Sequence, residues 1–176
     1  MRQTTKPRAL AAAVWMVLGL AGSAAAQSPE TRGPAAAEFT AGYAAFLDES
    51  AIGHSVFGAS LRFPLWWRLS AGPEVAYMIG PGDDRDLMLT GNVTLDFLAS
   101  GPGRTHRATP YVVAGFGVMN LSNRSGGVGY SSNEGAFTGG GGVRVWVTRK
   151  IYAAGEFRVG WEPHIRFTGT VGVALN

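Results

Sequence analysis

The 176-residue chain contains no cysteine. No disulfide framework can staple it, and no cysteine is available for lipid attachment behind a leader. Beyond residue 26 the only lysine is Lys150 and the only glutamine is Gln27. Charged residues make up 15% of the chain, well under the roughly 25–35% that keeps the surface of a soluble domain in solution. After Ala21 no apolar run is long enough for a transmembrane helix, and no stretch has a helical period. A stapled secreted scaffold and a helical membrane protein are both excluded.

The N-terminus is of a different character. Arg2, Lys6 and Arg8 precede an apolar run from Ala9 to Ala21, and Gly22 and Ser23 lead into Ala24-Ala25-Ala26. A positive start, a short apolar centre and an A-x-A site form a secretory signal, expected at residues 1–26. Residues 27–35 are a short polar, proline-containing leader expected to be disordered, and 36–176 form one domain. Removing the signal takes three of the fifteen basic residues and none of the twelve acids, leaving twelve of each sign. The basic character of the precursor therefore reports targeting, and no nucleic-acid partner is expected.

What the remainder does contain is alternation. Over eight stretches the odd-numbered positions are apolar or glycine, as in Phe57, Ala59, Leu61 and Phe63, or Tyr111, Val113, Gly115, Gly117 and Met119. Every charge in those stretches falls at an even number: Glu38, Arg62, Arg68, Glu74, Asp96, Arg144, Glu156, Arg158 and Arg166. Side chains alternate across a strand, so each stretch has one oily face and one polar face. Eight strands are predicted, at about 37–47, 53–63, 67–79, 86–98, 109–120, 135–148, 150–161 and 164–175. The connections carry turn chemistry, and one of them, the Ser/Asn/Gly-rich run from Ser122 to Glu134, is long.

Eight such strands close into an antiparallel up-and-down barrel, and composition decides which face is inside. A soluble lipocalin-like binder would place the oily face inward and the polar face in water. The polar face here has only about one charge per strand, among Thr40, Gly58, Ser60, Gly72, Thr90, Gly140, Gly142 and Thr168. Small residues with a nearly balanced set of ions suit a narrow interior. A strand of about eleven residues rises roughly 36 Å, and a tilt near 40° projects this to about 28 Å, close to the apolar band of about 25 Å on membrane barrels. The expected fold is all-β, an eight-stranded transmembrane β-barrel. With the N-terminus on the periplasmic side, Phe63, Trp66, Trp67, Phe97, Tyr111, Trp146 and Tyr152 flank the second, fourth and sixth connections, as an interfacial aromatic girdle would.

In this pattern, and in phrases such as Pro110-Tyr111-Val112-Val113-Ala114-Gly115, the Gly139–Val147 run and Ala154-Gly155-Glu156-Phe157-Arg158, the chain resembles the small outer-membrane β-barrel domains, the group of the OmpA membrane domain and the OmpX-type barrels. The resemblance implies a bacterial outer-membrane location, lipid and lipopolysaccharide around the barrel, and insertion by the outer-membrane assembly machinery. The chain departs from the group in ending on Leu175-Asn176 instead of an aromatic. Recognition by that machinery would rest on Phe167, Val171, Val173 and Leu175.

The nine even-numbered charges are expected to form a lumen ion network, because an isolated buried ion is costly. Glu156 and Arg158 share one face of the seventh strand, with Arg144 and Arg166 expected as cross-strand neighbours. Such a network plugs the barrel; the alternative is a small gated pore for solutes. A rim enzyme built on His54, Ser55, His164 and Asp48 is a third reading, but Gly53-His54-Ser55 does not match the His-x-Ser pattern of lipid A deacylating barrels. Asp83-Asp84-Arg85-Asp86 offers carboxylates without the ligand spacing of a calcium loop, and the three histidines lack zinc spacing. The expectation is a non-enzymatic envelope protein without cofactor or metal, whose 122–134 loop meets an extracellular partner.

Overall fold

The computed structural model describes residues 33–47, 51–98, 106–125, 128–161 and 163–175. The expected signal, residues 27–32 of the leader and the end at Asn176 lie outside them. Eight strands follow in chain order: β1 (Ala36–Leu47), β2 (Ala51–Trp66), β3 (Leu69–Ile79), β4 (Arg85–Asp96), β5 (Ala108–Ser125), β6 (Val128–Trp146), β7 (Ile151–Gly160) and β8 (His164–Ala174). Each pairs antiparallel with its sequence neighbour, and β1 pairs with β8 from Ala36↔Ala174 to Phe46↔His164, closing the barrel. Among the described residues no helix is long and apolar enough to cross a membrane.

One end of the barrel, here the terminal end, carries the start of β1, the end of β8 and the β2–β3, β4–β5 and β6–β7 connections. The hairpin end carries the other four. On seven strands the even-numbered side chains face the lumen. Arg62, Glu74, Arg144, Arg158 and Arg166 are buried, while Phe39, Phe57, Val75, Leu87, Val143, Phe157 and Phe167 stand on the outer surface. This is the reverse of a soluble barrel that buries its oily face, so the inverted, lipocalin-like arrangement is excluded.

β5 departs from the expected faces. Val112, Phe116 and Val118 point outward, with Phe116 73% exposed, whereas Tyr111, Val113 and Met119 are buried. The register explains the reversal: inward Asp96 lies opposite Tyr111, so on β5 the odd positions share the lumen.

The girdle is corrected in the same way. Tyr111, Trp146 and Tyr152 are buried in the lumen, and the rings of Trp146 and Tyr152 meet edge to face at 4.9 Å. Trp146 and Tyr152 sit at even positions of β6 and β7, in phase with Arg144, Glu156 and Arg158, and strand phase outweighs nearness to a turn. Phe63, Trp66, Trp67 and Phe97 remain outside; a register shift between Pro64 and Trp66 turns Trp66 outward. The outward aromatics at the terminal end thus form an arc over β2 to β4, while Val145, Val147 and Ile151 cover the opposite side. Trp67 takes a left-handed φ of 47° in the β2–β3 turn, a conformation costing about 1–2 kcal/mol for a residue with a Cβ.

The connection from Ser122 to Glu134 is not an irregular loop. β5 and β6 continue pairing through Leu121↔Ser132 and Asn123↔Tyr130 to Ser125↔Val128. β4 reaches only to Arg85↔Ser122 and β7 only to Thr138↔Gly160, so a two-stranded ribbon extends past its neighbours.

Candidate functional site

The lumen holds two ion-paired groups. Toward the terminal end, Glu38 on β1 lies opposite Ser60 on β2 and Gly172 on β8. Ser60 Oγ donates to its carboxylate at 2.7 Å, Arg62 Nε donates at 3.3 Å, and the Tyr152 hydroxyl donates to it as well. Arg62 Nη2 in turn donates to the Tyr152 oxygen at 3.3 Å. Beside them Arg144 Nη1 donates to Asp96 Oδ1 at 2.8 Å, and its guanidinium lies 4.7 Å from the Tyr111 ring centroid and 5.2 Å from that of Tyr152. Cation–π contacts of this kind stabilise a charge already withdrawn from water.

At mid-barrel, Glu74 on β3 is shared by two arginines, Arg158 Nη1 at 2.9 Å and Arg166 Nη2 at 2.7 Å, and it accepts a further bond from the Asn92 amide. Arg158 Nε also meets Glu156 Oε1 at 2.5 Å, and the Tyr111 hydroxyl donates to Glu156 Oε2 at 2.9 Å. Arg158 and Arg166 are direct cross-strand partners. Two like charges in that position repel unless an anion lies between them, and Glu74 reaches both from across the barrel.

One expected membership and one expected pairing change. Arg68 sits at the terminal rim, not in the lumen network: it donates to the Phe97 carbonyl at 2.6 Å and stacks 4.3 Å from the Trp67 ring centroid. It lies in the turn after β2 and so escapes strand phase. Arg144 faces Asp96 and not Glu156, because the β6–β7 register sets it opposite Ala154 and sets Gly142 opposite Glu156. With Arg68 set aside, four acids (Glu38, Glu74, Asp96, Glu156) meet four arginines (Arg62, Arg144, Arg158, Arg166).

The space left among these groups is small. A void of about 30 Å³ is lined by Glu38, Ser60, Arg62, Glu74, Asn92 and Arg144, among others. That is room for one or two waters.

Glycines set where the long side chains can cross. A Cβ at Gly172 would collide with the Tyr152 ring, and one at Gly142 would lie 2.8 Å from the Tyr111 oxygen. Tyr152 and Tyr111 each pass over a glycine of the neighbouring strand to reach an acid on the strand beyond, Glu38 in one case and Glu156 in the other.

At the hairpin end the sequence leaves three groups apart that the fold joins. His54 on β2 points inward, and its Nε2 lies 3.0 Å from Asp84 Oδ2 and 3.4 Å from Asp86 Oδ2. The Phe46 ring packs edge-on to the imidazole at 4.7 Å. Ser55 is exposed on the outer face, so His54 and Ser55 point to opposite sides of the sheet and cannot act as a base and nucleophile pair.

No family model and no curated protein matches the chain. Among solved structures the chain is similar to Neisserial surface protein A, with a TM-score of 0.67 and 14% identity over 80% of this chain and 96% of that one. The fold is that of the small outer-membrane barrels. The N-terminal β-barrel domain of Pseudomonas aeruginosa OprF matches with a TM-score of 0.63 and 15% identity, covering 81% of this chain and 98% of that domain. Ail, the attachment invasion locus protein of Yersinia pestis, gives 0.52 and 12%, over 81% and 97%. Identities this low speak for a shared fold of eight strands in a closed barrel, and for nothing finer.

Proposed function

We propose that the protein is a non-enzymatic barrel of the bacterial outer membrane whose lumen is closed by its ion pairs, with a structural or surface-interaction role in the envelope. The observation that carries this reading is the lumen itself: four acids and four arginines hold one another across the barrel around a void of about 30 Å³. A solute path would need those pairs to part, and removing one partner of a buried pair costs about 3–5 kcal/mol. The outer face supports the location. Its side chains, Phe39, Phe57, Leu87, Phe116, Val143 and Phe167 among them, form an apolar surface that water would not tolerate and lipid would cover. Membrane lipid, lipopolysaccharide and the outer-membrane assembly machinery are the partners this implies. The β5–β6 ribbon, standing beyond its neighbours over residues 122–134, is the surface offered to an extracellular partner.

Two measurements on the same material test the reading. The outer-membrane fraction, run on a gel with and without boiling, is expected to show a heat-dependent mobility shift, and the purified barrel in a planar bilayer is expected to show no steady current. Soluble periplasmic protein with no shift overturns the membrane location. A reproducible open-channel current overturns the closed lumen and leaves a gated pore.

A further inference from the structure

We infer that His54, Asp84 and Asp86 form a binding site for a divalent transition-metal cation of the zinc class at the hairpin end of the barrel. His54 Nε2 and one carboxylate oxygen from each aspartate lie within 4.8 Å of one another. The separations from Nε2, 3.4 and 3.0 Å, lie at and a few tenths below the roughly 3.4 Å between neighbouring ligand atoms of a tetrahedral ion bound at about 2.0–2.2 Å. The three residues come from β2, the β3–β4 turn and β4, so one ion would fasten three segments of the rim.

Observations apart from the cluster itself point to a ligand. His54 Nδ1 lies 3.3 Å from the Ile52 carbonyl. With Nδ1 donating to that carbonyl, Nε2, which donates to the Asp84 carboxylate at 3.0 Å, exchanges its proton for the ion on binding, which gives the outer hydrogen bond and tautomer of a metal-binding histidine. Asp86 is buried, 3% exposed; the Ser122 N–H is its backbone neighbour, and its Oδ1 lacks a partner within full hydrogen-bond geometry among the described residues. Arg85, between the two acids in sequence, turns its guanidinium to the backbone: its Nη1 donates to the carbonyls of Asp84 at 2.6 Å and Gly82 at 3.0 Å. Those bonds, with Gly80 N donating to Asp84 O at 3.0 Å, fix the turn that presents Asp84. Gly80 leaves the space the site needs, since a Cβ there would lie 2.7 Å from Asp84 Oδ2 and closer still to His54 Nε2.

The donor set selects the ion. One imidazole nitrogen and two carboxylates suit zinc and its first-row neighbours, whereas calcium takes six to eight oxygens. The Asp84 side chain is 19% exposed, so the site opens to solvent on one side and a water can complete the coordination.

The folded barrel in detergent, stripped with chelator, is titrated with Zn²⁺ by calorimetry and with Co²⁺ by visible absorption, alongside H54Q, D84N and D86N. The expected result is one equivalent bound by the wild type, a tetrahedral cobalt spectrum, and affinity reduced about 100-fold or more in each variant, at or beyond the upper limit of the 10–100-fold cost of losing an outer partner. D84N lies in the exposed turn and keeps the test open where a buried substitution prevents folding. Equal binding by wild type and H54Q overturns the site. So does no binding by the wild type, which would leave the contacts of His54 with the two carboxylates as the whole account of the cluster.

Discussion

The hydroxyl of Tyr152 on β7 donates to the carboxylate of Glu38 on β1, passing over Gly172 on the strand between them. Tyr152 is fully buried, so its ring cannot swing aside. Gly172→Ala would therefore force the ring or the sheet to move, at about 1–3 kcal/mol. Tyr152→Phe keeps the ring and loses a hydrogen bond to a charged group, at about 1.5–3 kcal/mol. In Tyr152→Ala the ring is gone, and Gly172→Ala added to it should cost almost nothing. The check is a double-mutant cycle on urea midpoints in detergent, where a strictly additive cycle would show that the two residues do not share space.

Glu74 is the anion on which the mid-barrel group depends, since Arg158 and Arg166 both reach it and face each other across β7 and β8. Glu74→Gln should destabilise the barrel by about 3–5 kcal/mol, the cost of stranding a buried charge. Arg166→Met added to it should recover part of the loss, because Arg158 keeps Glu156 at 2.5 Å. Unfolding titrations of the three proteins decide the matter. A double variant weaker than Glu74→Gln alone would mean that the repulsion between the two arginines is not what the glutamate relieves.

Strand number, strand order and the choice of the polar face as lumen are all legible in the sequence, because most strands carry a charge that marks one face. β5 carries no charge between Thr109 and Leu121, and both of its faces are apolar, so alternation alone cannot orient it. Its glycines hold the signal: Gly115 and Gly117 fit a narrow lumen, whereas Phe116 does not. The absence of native cysteine allows a direct test. Single cysteines from Val112 to Val118, labelled with a fluorophore and quenched by brominated lipid, should show strong quenching at 112, 114, 116 and 118 and weak quenching at 113, 115 and 117. The opposite pattern would restore the odd residues to the lipid face.

The candidate site is less legible for a different reason. Which charges share the lumen follows from strand phase, but which acid meets which arginine depends on register and on how far a side chain can cross. Tyr111 reaches Glu156 only because Gly142 separates them. His54 and Asp84 are thirty residues apart and meet only because the β2–β3 pairing, which begins at Ser55↔Ile79, sets the β3–β4 turn beside His54. No motif in the sequence encodes that meeting.

The ribbon beyond Ser122 and Thr138 should be dispensable for the barrel. Past those points β5 and β6 pair only with each other, since β4 begins at Arg85 and β7 ends at Gly160. Joining Ser122 to Ser131 through a two-residue Asn-Gly turn preserves the pair Ser122↔Ser131 and the β4 contact at Arg85↔Ser122, and supplies a hairpin turn whose twist matches the strands. Shortening the connection also changes its closure entropy little, about 0.6 kcal/mol for each halving of length. The trimmed protein is expected to keep the heat-dependent mobility shift and a urea midpoint within about 1 kcal/mol of the parent, while any binding of whole cells to an extracellular surface through this protein is lost. A trimmed chain that fails to fold would place the ribbon among the elements that build the barrel, and would remove the reason for regarding it as a surface evolved for contact.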